Sequence, residues 1–134
     1  GDSLLRLFGH GGKVTIQKQT FAVTTAKTQK EQEIGLSGKK SLPKNQGMLF
    51  PFPKADYYPF WMKNMQFPID IIWVDSSGNI LRIVKNAPAC TADPCQVYSQ
   101  DIFNAQYVLE VASGFADKFG INLDSHVKIM AALP

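Results

Sequence analysis

The stretch of sequence that decides the fold is "FWMKNMQFPIDIIWVD", residues 60–75, the most apolar and aromatic part of the chain. It nonetheless contains Lys63, Asn64 and Asp70. Pro68 prevents a continuous helix through the segment, and "MQFP" can connect two strands. The pattern therefore predicts a β-hairpin in which Lys63 lies opposite Asp70 on the neighbouring strand.

A second turn, "DSSGN" at residues 75–79, leads from this hairpin into the apolar run "ILRIVK". Together the three segments predict an antiparallel meander in which Ile72 pairs with Arg82, and Asp70 pairs with Val84. Successive side chains point to opposite faces of a strand, so one face of the meander is apolar and suited to the core. The members of that face are Phe60, Met62, Ile69, Ile71, Trp73, Leu81 and Ile83.

The opposite face of the meander carries the candidate ligand-binding residues. Trp61 offers a flat contact surface, while Lys63 and Arg82 bring two positive charges that Asp70 can orient. This combination favours a small anionic ligand such as a carboxylate or a phosphate. Asn64 is a further candidate at the mouth of the hairpin, although it also fits a turn residue that bonds its own backbone. The competing interpretation of the whole face is a salt bridge that only fixes the pairing register.

Known catalytic arrangements are missing from the sequence. It has no Gly-rich phosphate loop, nucleophile elbow or metal-ligand motif, and we predict neither a cofactor nor a metal site. The letters "DSH" at residues 124–126 lie too close together to converge as a catalytic triad. The second function class is an enzyme in which Lys63 acts as base or nucleophile. A deep enclosed pocket at Lys63 would favour that class, and a flat or filled face would favour binding.

The remaining segments predict an α+β fold with a compact, mostly antiparallel sheet, for which a partly closed barrel is one form, and two short helices. Strands are predicted in residues 14–26, in "GMLFPF", which Pro51 and Pro53 are expected to close, in "YVLEV" and in "HVKIM". Glu110, alone between two apolar neighbours in "YVLEV", is expected to face outward.

Two helices are predicted from their capping residues. Thr28 and Glu31 have the spacing of a capping box, and this helix is expected to run to about Leu36. Ser113 can cap a second, short helix that ends near Gly120, where a left-handed residue terminates it.

Length and composition indicate one globular domain. The chain has 134 residues, 45% of them hydrophobic, and we assign residues 1–13 to a flexible or trimmed lead-in and residues 14–134 to a single sheet-rich domain. A net charge of +3 falls well short of the basic surface of a nucleic-acid-binding protein. No apolar run is long enough to span a membrane, and the start of the chain has no signal-peptide hydrophobic region.

The two cysteines fall in the proline-bounded loop "APACTADPCQ". A disulfide between Cys90 and Cys95 would stiffen this loop and would indicate an oxidising compartment. Free thiols, a redox pair and half of a metal site are the alternatives that the spacing leaves open.

Over residues 21–127 the chain resembles a bacterial and archaeal family, the domain-of-unknown-function family numbered 192. The resemblance rests on "EIGLSGKKSLPKNQGMLFPF", on the segment from "FWMKN" through "DIIWVD" to "CTADPC", and on "YVLEV" and "SGFADKFGI". The motif residues Met62, Lys63, Asn64, Pro68 and Asp70 all match. The chain departs from the family pattern at Ser37, Lys39, Met65, Asp124 and Ser125.

The resemblance implies a sheet-rich α+β domain that often follows an export signal, and it implies no established enzyme activity. We therefore expect an exported domain, periplasmic or secreted, for which a removed N-terminal segment could have served as a membrane anchor. Its expected partners are a small anionic molecule or an envelope protein, without nucleic acid and without a membrane-spanning segment.

Overall fold

The computed structural model describes residues 7–131, except for the side chain of Ala131. A seven-stranded sheet has the strand order β6-β5-β8-β3-β2-β1-β9, and a small second sheet pairs β4 with β7. The elements are β1 (Gly11–Ile16), β2 (Gln19–Thr25), α1 (Gln29–Ile34), β3 (Gln46–Asp56), β4 (Phe60–Trp61), β5 (Ile69–Val74), β6 (Ile80–Ala87), β7 (Val97–Tyr98), β8 (Ala105–Ala112), α2 (Phe115–Lys118) and β9 (Val127–Ala131). The predicted α+β class, a mostly antiparallel sheet with two short helices, is confirmed.

The large sheet curls into a half-barrel. Among the strands of residues 7–131, only β2 and β3 pair in parallel, across the crossover that contains α1. The two edge strands approach each other where the β5–β6 turn meets the start of β9. There the backbone N–H of Val127 donates to the carbonyl of Gly78 at 2.9 Å, and Asn79 forms an isolated bridge with His126. The sheet is therefore partly closed at this corner.

Helix α1 begins at the predicted capping box. The hydroxyl of Thr28 accepts from the N–H of Glu31, and the carboxylate of Glu31 accepts from the N–H of Thr28. The helix ends at Ile34, two residues before the expected position, because Gly35 takes a positive φ of 49°. Gln32 then fixes the helix to the sheet, since its amide donates to the carbonyls of Ala26 and Pro51.

Strand β3 runs through both of its prolines, contrary to the prediction that Pro51 and Pro53 close it. Its pairing with β2 ends at Leu49, so beyond that residue only β8 pairs with it. A proline is tolerated where its missing N–H faces away from a neighbouring strand. The strand can therefore continue to Asp56 with an irregularity after Pro51.

Both faces of the large sheet are covered. The first core packs on one face, and its members from the central strands β3, β5 and β8 are Met48, Phe50, Ile69, Ile71, Trp73, Ala105 and Val108. The second core packs on the other face, where the central strands contribute Leu49, Ile72, Val74, Leu109 and Val111. The apolar face predicted for the meander lies in or against the first core, except that Ile83 packs against the second.

The predicted hairpin is wrong. Strand β4 ends at Trp61 and pairs with β7, and β5 pairs with β6 on one side and β8 on the other. The physical reason is a turn: Asn64 has a φ of 65°, and the N–H of Met65 donates to the carbonyl of Met62 at 3.2 Å. The chain therefore leaves the extended conformation before it could pair with β5.

The predicted register between β5 and β6 is correct only next to the turn. Val74 faces Ile80 as expected, but an irregularity between Trp73 and Val74 shifts the rest of the ladder. Arg82 consequently lies opposite Trp73 instead of Ile72.

The N-terminal boundary also differs from the prediction. Strand β1 begins at Gly11 and pairs with β2 and β9, so the last residues of the expected lead-in belong to the sheet. Leu7 and Phe8 pack against the first core. Residues 1–6 lie outside the described part. Neither helix found between residues 7 and 131 has the length and apolar character needed to cross a bilayer.

The corner that closes the sheet depends on Gly78, and we predict that Gly78→Ala destabilises the domain by about 3 kcal/mol. Gly78 has a φ of 89°, and an added Cβ would lie 2.3 Å from the carbonyl oxygen of Val127. Gly120→Ala is the matched control, because Gly120 has a φ of 63° with open space around it, and it should cost about 1 kcal/mol. Urea unfolding measures the free energy of unfolding of both variants. Equal losses of stability would contradict the proposal that the corner at Gly78 stabilises the closed sheet.

Candidate functional site

A cavity of about 320 Å³ opens on the first-core side of the sheet. Its walls come from α1 and the loop after it, from β3 and β8, and from the segment around β4. Its aromatic lining residues are Phe50, Phe52, Tyr58, Phe60 and Trp61. This volume lies at the lower end of the range for small-molecule sites.

The aromatic walls are packed against one another. The rings of Phe52 and Tyr58 stack with centroids 3.6 Å apart, and Phe50 and Phe60 meet edge to face at 4.9 Å. The hydroxyl of Tyr58 donates to the carbonyl of Lys54 at 2.7 Å, which fixes the ring from its far end. The cavity is therefore shaped by side chains that hold each other in place. Trp61 is 54% exposed and lies at the rim.

Glu110 contributes a buried carboxyl to this cavity. It lies on β8 opposite Met48 on β3 and Ile71 on β5, which puts its side chain on the first-core face. Glu110 is only 4% exposed, and within residues 7–131 its carboxyl has no hydrogen-bond or ion-pair partner. Burial raises the pKa of this carboxyl from its ordinary value of 4.5 to about 8.

The expectation that Glu110 faces outward is wrong. Alternation along β8 does direct it away from Leu109 and Val111, which belong to the second core. The other face of the sheet, however, is covered by the first core and the cavity instead of by water. A lone carboxyl in an apolar strand was the only sequence signal for this residue.

Lys63 and Trp61 are the two predicted site residues that the structure brings to the cavity. The Lys63 ammonium lies 3.5 Å from the carboxylate of Asp93 and 5.3 Å from the centre of the Trp61 ring. Its side chain is 40% exposed, so Lys63 belongs to the rim. The predicted pair with Asp70 is replaced by the pair with Asp93.

The loop that carries Asp93 is closed by the predicted disulfide between Cys90 and Cys95, which is confirmed. The N–H of Cys90 donates to the carbonyl of Met62 at 3.1 Å, and a parallel bridge joins Cys90 to Lys63. The disulfide loop therefore sits beside the rim and supplies the counter-charge of Lys63.

Asp70 has a structural position on the opposite face of the sheet. It is fully buried and pairs with Val111 of the second core. Its carboxylate accepts backbone N–H groups from Asn86 at 2.9 Å, Ala116 at 2.9 Å and Gly114 at 3.3 Å. Asp70 thus joins the end of β6 to the start of α2, and it cannot orient Lys63.

The other two candidates are also removed from the cavity lining. The guanidinium of Arg82 donates to the carbonyl of Ser99. Asn64 is the turn residue that the simpler interpretation expected, and its carbonyl accepts from the N–H of Gly38 at 3.1 Å. Within residues 7–131 no group of three or more His, Cys, Asp or Glu side chains could hold a metal ion.

We predict that Asp70→Asn destabilises the domain by about 2–4 kcal/mol, because buried N–H groups lose a charged acceptor. Lys63→Met should cost less than about 1 kcal/mol, since the Lys63–Asp93 pair is exposed to solvent. The two losses should add within about 0.5 kcal/mol, because the residues share no partner. A double-mutant cycle measured by urea unfolding tests this additivity. A clear coupling energy would contradict it and would indicate that Lys63 and Asp70 interact, as the sequence suggested.

We predict that Glu110→Gln gains stability relative to the wild type as the pH rises from 5 to 8. Because burial raises the pKa of this carboxyl to about 8 in the fold, the wild type is most stable below the unfolded pKa near 4.5 and loses stability as the pH rises towards 8. The glutamine side chain of the variant does not titrate, so the difference between the two proteins should change by about 3 kcal/mol. Urea unfolding at both pH values measures it, and parallel pH profiles would show that Glu110 ionises freely.

A family model and two solved structures match this chain over most of its length. The model of the DUF192 family, described as Uncharacterized ACR, matches residues 12–129. A comparison with curated proteins finds no match. A presumed transcription regulator from Sinorhizobium meliloti 1021 is 25% identical with a TM-score of 0.79, over 96% of this chain and 98% of that one. A protein of unknown function from Novosphingobium aromaticivorans DSM 12444 has the same identity and TM-score, over 96% of this chain and 92% of that one. The chain therefore belongs to the DUF192 family, whose function is unknown.

Proposed function

We propose that this domain is a non-catalytic binding module that takes a small molecule into the cavity above β8. The observation that carries the proposal is the buried carboxyl of Glu110, which lines an aromatic cavity without a partner among the described residues. The aromatic walls offer flat apolar surfaces, and Glu110 offers a buried polar contact. A ligand with a flat apolar body and one polar group fits this arrangement.

The free-energy cost of Glu110 supports a function. Burying a carboxyl without a hydrogen-bond partner destabilises a fold, and an apolar residue at the same position would avoid that cost. Buried polar groups of this kind concentrate at functional sites. The neighbours on both sides are the fully buried Met48 and Ile71, so the sheet itself gives no structural reason for a carboxyl here.

The geometry supports the other two functional expectations less well. An anionic ligand was expected because Lys63 and Arg82 would share a face, yet Arg82 bonds Ser99 and does not line the cavity. An enzyme centred on Lys63 needs a desolvated amine, whereas this side chain is 40% exposed and paired with Asp93. Binding to an envelope protein stays a prediction of the sequence.

We also propose that the domain works in an oxidising compartment outside the cytoplasm. The Cys90–Cys95 disulfide supports this, because such bonds persist mainly in exported proteins. Fractionation of cells that produce the protein from its natural gene, followed by alkylation of free thiols, tests the proposal. Protein found in the cytoplasm with two reactive thiols would contradict it.

We predict that a thermal-shift screen of small aromatic and heteroaromatic compounds identifies ligands that raise the melting temperature by about 2 °C or more. Ser37→Phe should abolish the shift, because Ser37 lines the cavity and a large ring there fills it. Ser76→Phe is the matched control, since Ser76 is an exposed residue of the β5–β6 turn. The proposal fails if no compound stabilises the wild type, or if Ser37→Phe responds like the wild type.

A further inference from the structure

We propose that the ligand of this cavity carries a cationic nitrogen, which pairs with the carboxylate of Glu110. The inference names the ligand class for the binding function proposed above and therefore rests on it. It follows from the charges around the cavity, from the faces of its aromatic rings, and from the isolation of Glu110 inside it.

The charges that line the cavity favour a cation. Its titratable lining residues are Glu33, Tyr58, Lys63 and Glu110. Lys63 is the one cation in this set, and its charge is already offset by Asp93 at the rim. An incoming ligand therefore meets one exposed carboxylate, on Glu33 of α1, and one buried carboxyl. Beside Glu110, both neighbouring strands place apolar side chains, so no charge from the sheet competes for it.

The aromatic walls favour the same class. The face of an aromatic ring carries partial negative charge and attracts a cation within about 6 Å of its centre. The rim already shows this interaction, because the Lys63 ammonium lies 5.3 Å from the centre of the Trp61 ring. The other lining rings, those of Phe50, Phe52 and Phe60, have no such cation among the described residues. A carboxylate at the base of aromatic walls is the usual chemistry of an organic-cation site.

Binding of a cation should release one proton. With a pKa raised to about 8, Glu110 is mostly protonated at pH 6 and about half ionised at pH 8. A permanent cation binds the ionised form better, so its affinity should rise by at least about tenfold between pH 6 and pH 8. The proton passes from the Glu110 carboxyl to the buffer, and no covalent bond forms.

The experiment compares three probes of similar size in the intact protein by isothermal titration calorimetry at pH 6 and pH 8. Benzyltrimethylammonium is a permanent cation, benzyl alcohol is neutral and phenylacetate is an anion. Titration of the cation at pH 7 in two buffers of different ionisation enthalpy measures the proton released. This readout needs only the wild type and remains decisive even where a variant fails to fold.

Two variants separate the role of Glu110 from a general effect of charge. Glu110→Gln should weaken binding of the cation at pH 8 by at least about tenfold and abolish proton release, because its side chain cannot ionise. Asp117→Asn removes one exposed acidic charge on α2, outside the cavity lining, and should leave the affinity within about twofold.

The outcomes distinguish this inference from the binding function on which it rests. Preference for the cation, with proton release and loss in Glu110→Gln, supports the inference. If benzyl alcohol or phenylacetate binds as well as the cation or better, and Ser37→Phe blocks that binding, the cation inference is overturned while the small-molecule function stands. Binding of the cation without proton release, or with equal affinity in Glu110→Gln, also overturns it. Absence of binding by all three probes rejects the cation, while the thermal-shift screen decides the binding function separately.

Discussion

The buried carboxylate of Asp70 is the interaction on which the rest of the structure depends. Its oxygens accept N–H groups from the end of β6 and from the first residues of α2, so one side chain on the central strand β5 satisfies backbone groups of two other segments. These contacts hold the end of β8 against β5. Glu110 lies two residues before Ala112, the last residue of β8, where it pairs with Ile71 on β5 and Met48 on β3. The sheet therefore has one buried carboxyl that is fully bonded and another, on its opposite face, that is not.

This difference between the two carboxyls is the main argument for where function lies. Asp70 is surrounded by N–H donors and has an evident structural purpose. Glu110 is bounded by apolar side chains and a cavity, and burial alone raises the pKa of its carboxyl to about 8. A fold that keeps such a group gives up part of its free energy of unfolding at neutral pH. The cavity above it offers a place where a ligand can recover that loss.

Much of the fold could be predicted from sequence, because strand alternation, the Thr28 capping box and the short loop between the cysteines are local signals. The candidate site could not be predicted from the sequence, for two physical reasons. Asn64 adopts a left-handed conformation that turns the chain out of the expected hairpin, and no pattern of apolar residues reveals such a turn. Alternation alone predicts that Glu110 faces solvent. Alternation separates the two faces of the sheet but does not show that both faces are covered.

The partial closure of the sheet has a consequence for how the protein behaves at high concentration. Free strand edges recruit strands from other molecules and so begin aggregation. Here the corner at Gly78 and His126 brings the two edges of the sheet together, which shortens the stretch of edge that another chain could reach. What is left of each edge carries an exposed lysine, Lys85 on β6 and Lys128 on β9. A charged side chain on an edge strand opposes pairing with a strand of a second copy, and Lys85 is in addition held by its ion pair with Asp117 on α2.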